Sequence, residues 1–152
     1  MIICGYAGVG KTTLCKQYKK YIDLDSNTFQ KDSNWVETYC ETVIKLVNDG
    51  YDVFVSCHKA VRNYFDTKEI EYITISPTLE LEKQWLEKLK KRYFDDTSDA
   101  NYRAVDRIIH HYTEDITDLL KARNVIVIDN VKYELKTLLN EYMQKRSDNG
   151  TK

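Results

Sequence analysis

The chain has 152 residues, of which 42% are hydrophobic and 31% charged, enough for one domain with a proper core. Its 23 basic and 24 acidic residues give a net charge of −1, which argues against a general nucleic-acid-binding or membrane-binding surface. No apolar run reaches the length of a membrane span, and a glycine-rich motif begins at once, so no signal peptide is expected. Cys4, Cys15, Cys40 and Cys57 form no C-x-x-C pair and read as reduced core thiols of a cytoplasmic protein.

Met1 to Cys4 form a short apolar run that reads as a buried strand. Gly5-Tyr6-Ala7-Gly8-Val9-Gly10-Lys11-Thr12 then fits G-x-x-x-x-G-K-[ST], the phosphate-binding loop. The chemistry calls for these residue types. Gly5, Gly8 and Gly10 can take positive φ, so successive backbone N–H groups can turn onto one anion. Lys11 carries a full positive charge to β- and γ-phosphates, and the Thr12 hydroxyl can ligate Mg²⁺. A helix opening at Lys11 adds the positive end of its dipole. Three of the chain's five glycines fall in this loop, so a chance glycine-rich turn is the weaker explanation.

The helix runs on through Leu14, Tyr18 and Tyr21 at helical spacing, and Tyr21-Ile22-Asp23-Leu24-Asp25 reads as the second strand. A polar loop follows to Asn34, which can cap a helix from Trp35 to about Asn48, closed by Asp49-Gly50. Val53 to Cys57 is a third strand, apolar enough for burial on both faces. His58 to Phe65 is a short helix. Tyr72 to Ile75 is a fourth strand, stopped by Pro77. Thr78 opens a helix to about Tyr93, acidic at its start and basic at its end. After the polar break Asp95–Asp99, Ser98 or Asp99 caps a helix reaching about Ala122. Val125 to Asp129 is a fifth strand. Tyr133 to about Arg146 is a last helix, with a frayed tail to Lys152. Strands alternating with helices predict an α/β protein with a five-stranded parallel sheet, helices on both faces, and functional residues at the C-terminal ends of the strands.

That rule turns element order into candidate residues. Asp23 and Asp25, two apart on one side of a strand, can hold Mg²⁺ or meet a substrate hydroxyl; an ordinary acidic loop explains them as well. His58 and Arg62, one helical turn apart, can reach an anion, or belong to a solvated helix face. Lys88, Lys91, Arg92, Arg103 and Arg107 flank the polar break and suggest two helices closing over phosphates, or else solvated charge paired with Glu82, Glu87 and Asp106. His110 and Glu114 lie on one face, but no third ligand is spaced to complete a metal site. Cys57 and His58 point to opposite faces of a strand, which argues against a thiol nucleophile.

With GYAGVGKTT, YIDLDSNTF and VFVSCHKAVRNYF, the chain resembles small P-loop kinases of the nucleotide-kinase group, that of adenylate, thymidylate and shikimate kinases. It is most similar to the compact forms encoded by bacteriophages. The resemblance covers nearly all of the chain, although only the phosphate loop is highly specific. It implies a single P-loop kinase domain over residues 1–152, with a five-stranded parallel sheet and the phosphate-loop strand at its centre. Gly5, Ala7, Gly8, Val9, Gly10, Lys11, Thr12 and Thr13 would bind the ATP phosphates, with Asn130 beside the adenine. Thr12 and Asp23 would serve Mg²⁺. Residues 26–47 would bind the acceptor, with Asp25, Ser26, Phe29, His58 and Arg62 in contact with it. Residues 88–107 would form the lid, with Arg92 and Arg103 joining Lys11 and Asp23 as catalytic groups. Two departures stand out. The third strand ends in Ser56-Cys57 where many such kinases carry Asp-Gly, and the lid lacks a clean run of arginines.

The function expected is ATP-dependent phosphoryl transfer to a small acceptor, a nucleoside monophosphate and more specifically a deoxynucleotide, in the cytoplasm (of the host if phage-encoded). A nucleoside, a modified base or another small hydroxyl compound is the alternative acceptor. A P-loop ATPase acting on a partner is the rival class, favoured by the Walker-B-like Val125–Asp129. Sequence alone assigns neither the acceptor's base and sugar, nor ATP over GTP, nor the oligomeric state.

Overall fold

In the computed structural model, residues 1–150 are described. The elements run β1 (Ile2–Gly5), α1 (Lys11–Gln17), β2 (Tyr21–Asp23), α2 (Trp35–Asn48), β3 (Asp52–Val55), α3 (Lys59–Thr67), β4 (Ile73–Pro77), α4 (Glu82–Asp95), α5 (Asp99–Leu119), β5 (Val125–Ile128) and α6 (Leu135–Gly150). The strands form one parallel sheet in the order β2-β3-β1-β4-β5, with the strand before the glycine-rich loop at its centre. Parallel neighbours need a crossover between them, and the helices between the strands supply it, returning the chain to the same end of the sheet each time. The described residues group into two compact units. Met1–Tyr6 with Gly10–Thr74 make the first; Ala7–Val9 with the chain from Ile75 onward make the second.

In the first unit, β3 pairs with β1 (Ile2 opposite Val53, Cys4 opposite Val55) and with β2 (Tyr21 opposite Asp52, Asp23 opposite Phe54). Tyr39, Cys40 and Val43 of α2 and Val61 and Phe65 of α3 pack with Ile2, Cys4, Val53 and Val55. Ile3 and Phe54 point the other way and are also fully buried, as a parallel sheet covered on both faces requires. Helix α2 ends as its sequence predicts. Gly50 takes φ 99°, its N–H reaches the Val47 carbonyl, and the Tyr51 N–H reaches that of Leu46, a Schellman closure.

In the second unit, Trp85 and Leu89 of α4 and Ile108, Tyr112 and Ile116 of α5 are buried, each contributing roughly 1.5–3 kcal/mol through the apolar surface it removes from water. The Tyr112 hydroxyl donates to the Thr78 carbonyl at 2.7 Å, so a ring at helical spacing also fixes the turn before α4. Ser98 caps α5 by accepting the Asn101 N–H, and the Asn101 side chain donates to the Asp96 carbonyl at 2.8 Å. The polar break is thus a tied turn.

Several boundaries differ from the sequence expectation, each for a local reason. β2 stops at Asp23, because Asp25 turns back to accept the Asn27 N–H at 2.8 Å and caps a 3-10 turn over Ser26–Thr28. Such side-chain bonds compete with the strand ladder, and Asp25 therefore does not share a strand face with Asp23. β3 stops at Val55, where the Ser56 N–H bonds the Tyr39 hydroxyl. β4 extends to Pro77 as its last residue; the ring fixes φ but does not prevent extended chain. A 3-10 turn over Leu79–Leu81 precedes α4. His58 is the N-cap of α3, not its first turn. Asn34 stands at the N-cap of α2 without a side-chain bond. Asp129 falls beyond β5, and Tyr133 precedes α6. The end of the expected tail, Thr151 and Lys152, lies outside the described residues.

Candidate active site

β1 delivers the chain into the glycine-rich loop at Gly5, which ends the strand and does not take positive φ. The positive dihedrals fall at Gly8 (φ 91°) and Gly10 (φ 106°). Gly8 is constrained twice. An added Cβ would meet Leu89 Cδ2 at 2.9 Å and Trp85 Nε1 at 3.1 Å, and L-residues avoid its φ. Gly10 is the N-cap of α1, with its carbonyl accepting the Leu14 N–H at 3.1 Å. Thr12 and Thr13 follow on the exposed first turn.

Lys11 Nζ lies 3.6 Å from Asp23 Oδ1. The loop lysine and the end of β2 are thus brought together. Burial raises the Cys15 thiol to about 11, with Asp23 adding to the shift and Lys11 opposing it. A neutral thiol beside the pair competes for neither the proton nor the charge.

The ends of β2 and β3 carry a second group of candidates. Tyr39, fully buried on α2, donates its hydroxyl to the Leu24 carbonyl at 2.6 Å and accepts the Ser56 N–H at 3.0 Å. It clips the two strand ends together. Phe29 packs edge-on against Tyr39 at 5.0 Å, and Trp35 packs against Tyr39 at 6.3 Å and His58 at 5.7 Å. Lys31 Nζ stands 4.0 Å over the Trp35 ring and donates to the carbonyl of buried Ser26. Phe29, His58 and Ser26 are therefore gathered around Trp35 and Tyr39, while the Asp25 carboxylate is turned into its own cap. Arg62 is 8% exposed, and its Nε donates to the Cys57 carbonyl at 3.2 Å. That corrects the solvated-face alternative for Arg62: the guanidinium is built into the end of β3.

The basic cluster divides. Lys88 is packed against aromatic rings. It lies 4.3 Å over the Trp85 ring and 4.9 Å over that of Tyr133, and donates to the Tyr133 hydroxyl at 3.1 Å. Burial, and then Arg92, lower its pKa. Arg107 is committed to Asp115 through two bonds of 2.7 and 2.6 Å. Arg92 and Arg103 are exposed, and neither forms an ion pair with the described residues. His110 pairs with Asp106 at 3.3 Å and His111 with Glu114 at 3.5 Å. Asn130 turns its Oδ1 onto the Lys132 N–H at 2.9 Å.

Three residues with structural duties at these sites escaped sequence reasoning. Trp85 Nε1 donates to the Ala7 carbonyl and the Tyr133 hydroxyl to the Val9 carbonyl, both at 2.8 Å; the third is Tyr39. In sequence, Trp85 and Tyr39 register only as apolar positions of amphipathic helices, and Tyr133 as a helix start. No local signal marks a hydroxyl that will meet a carbonyl 124 residues away.

No helix among the described residues is long and apolar enough to cross a membrane. No protein-family model matches the chain, and no curated protein matches it. Among solved structures it is similar to the shikimate kinase from Bacteroides thetaiotaomicron, with a TM-score of 0.53 at 14% identity, over 96% of this chain and 95% of that one. A likeness so complete in length and so low in identity speaks for the fold. The chain has the three-layer α/β fold of P-loop kinases, with its glycine-rich loop following the central strand.

Proposed function

We propose that this protein is a phosphotransferase that moves the γ-phosphoryl group of ATP to a small acceptor, a nucleoside monophosphate and more specifically a deoxynucleotide. The observation that carries the reading is the Lys11–Asp23 pair at 3.6 Å, set beside a loop whose Gly8 and Gly10 adopt the positive φ that turns amides onto an anion. The donor set fits Mg·ATP. Gly8 and Gly10 take the positive φ that an anion-binding loop needs, Thr12 offers a hard oxygen and Asp23 a carboxylate. Bound there, Mg²⁺ would neutralise charge on the phosphates.

The chain's own residues do the rest by position. The loop amides and Lys11 fix the donor phosphates. Asp23 holds Lys11 in place and, with Thr12, would be the residue to hold Mg²⁺. Arg92 and Arg103 supply exposed cations for closure. Asn130 would stand beside the adenine.

The aromatic group of Phe29, Trp35 and His58 supports an acceptor with a planar base, since such rings stack favourably. The guanidinium of Arg62 supports a phosphate-bearing one. The similar solved structure is named a shikimate kinase, so shikimate belongs among the acceptors tested. The test is a coupled ADP-release assay across nucleoside monophosphates, their deoxy forms, nucleosides and shikimate, with an acceptor-free control. Turnover that needs a monophosphate supports the proposal. ADP release independent of any acceptor replaces it with an ATPase. Turnover with nucleosides or shikimate alone removes the nucleotide.

A further inference from the structure

The middle of the glycine-rich loop is held from outside by side chains that the proposed chemistry leaves unused. Trp85 Nε1 donates to the Ala7 carbonyl and Tyr133 Oη to the Val9 carbonyl. The two rings lie parallel within 4°, their centroids 6.3 Å apart, and Lys88 Nζ lies close to both. Burial raises the Tyr133 phenol, so its oxygen stays protonated and remains a donor while it accepts from Lys88. Every peptide bond among the described residues is trans. In a trans peptide the C=O of one residue and the N–H of the next point in opposite directions. A carbonyl held at Ala7 therefore aims the Gly8 N–H the other way, and a carbonyl held at Val9 does the same for the Gly10 N–H.

We infer that Trp85 and Tyr133 are positioning residues of the phosphate loop, fixing through the carbonyls of Ala7 and Val9 the directions in which the Gly8 and Gly10 amides meet a polyphosphate. The inference rests on the reading of this loop as the donor-phosphate cradle. Gly8 and Gly10 have no side chains, and glycine backbones are the least restricted of any. The glycines thus permit the fold of the loop, and the indole and phenol select it. Lys88 strengthens the selection, because an ammonium donating to a phenol oxygen makes its O–H a better donor in the same chain of bonds.

The test uses inorganic tripolyphosphate, which offers phosphates without a base or an acceptor. Its binding is measured by calorimetry for the natural protein, Tyr133→Phe and Trp85→Phe. Tyr133→Phe keeps the stacked ring and removes only the hydroxyl. Its affinity should fall about five- to tenfold, the effect of one such hydrogen bond. A second readout works on the natural protein. The indole N–H signals of its two tryptophans are assigned by comparison with Trp35→Phe, and the Trp85 signal is followed during titration. An anion on the Gly8 N–H polarises the same peptide and strengthens the Ala7 acceptor, so the Trp85 signal should move downfield with saturation.

If the natural protein binds tripolyphosphate and Tyr133→Phe binds it within about twofold, less than a hydrogen bond's effect, the inference is overturned while the phosphate-loop reading stands. A Trp85 signal that stays fixed at saturation overturns it as well, and decides the matter if Tyr133→Phe does not fold. If the natural protein fails to bind tripolyphosphate, both readings fall together.

Discussion

Lys11 and Asp23 form an ion pair at 3.6 Å in which each side chain keeps 30% of its exposure. A pair so open to water contributes at most about 1 kcal/mol to stability. Under the proposed function its value lies in keeping an ammonium beside the loop, where an arriving phosphate would compete with the carboxylate for it.

Lys11→Ala should therefore abolish turnover and leave the fold intact. Removing a charge that acts on the transition state costs roughly 3–4 kcal/mol, a loss of several hundredfold. Steady-state ADP release and a circular dichroism melt check the two halves. Retention of a tenth of the activity, by about 1.4 kcal/mol, contradicts the role.

Asp23→Asn removes the partner of Lys11 and the carboxylate proposed to serve Mg²⁺, while keeping the shape. Turnover should fall more than nucleotide affinity, and added Mg²⁺ should restore part of it. Measuring kcat against Mg²⁺ concentration decides this; a normal rate at low Mg²⁺ takes Asp23 out of the site.

Arg62→Lys tests the acceptor. The Nε bond to Cys57 O orients a guanidinium, and lysine cannot reproduce its fork. The acceptor KM should rise about tenfold or more, as charged hydrogen bonds of roughly 1.5–3 kcal/mol imply, with the KM for ATP steady. An unchanged acceptor KM points to a neutral acceptor.

Arg92→Ala and Arg103→Ala should each lower kcat more than they raise KM, because exposed cations that engage on closure act mainly in the transition state. An unchanged kcat in both returns them to solvated charge.

Tyr39→Phe leaves the Leu24 carbonyl and the Ser56 N–H without the hydroxyl that joins them. Groups stranded in this way cost about 1–3 kcal/mol. Urea unfolding should show that loss, and a stability equal to that of the natural protein means the clip is dispensable.

Much of this architecture was legible because it is written locally. The bounds of α2 follow from an apolar stripe and from Gly50, and the loop from its spacing of glycines and lysine. Sheet membership followed from apolar runs that need cover on both sides. What escaped was polar chemistry acting over distance. The early end of β2 depends on Asp25 bonding to its own neighbourhood, a choice the strand pattern does not reveal. Lys88 reads as solvated in a row of lysines, yet it lies over two rings, one of which comes 45 residues later in the chain. The burial of Arg62 was hidden for the same reason, since an arginine four residues from a histidine shows only that both lie on one face.

The tyrosine hydroxyls bear on how the sequence can drift. Of twelve tyrosines, Tyr39, Tyr112 and Tyr133 each donate a hydrogen bond to a backbone carbonyl, those of Leu24, Thr78 and Val9. Tyrosine and phenylalanine codons are a single base change apart, so this substitution is among the first that random mutation samples. Where a ring only fills space, phenylalanine fills it equally well. At positions 39, 112 and 133 it leaves a carbonyl without its donor. In a saturation library sorted for folded, active protein, phenylalanine should therefore be depleted at these three positions and tolerated at tyrosines whose hydroxyls face water.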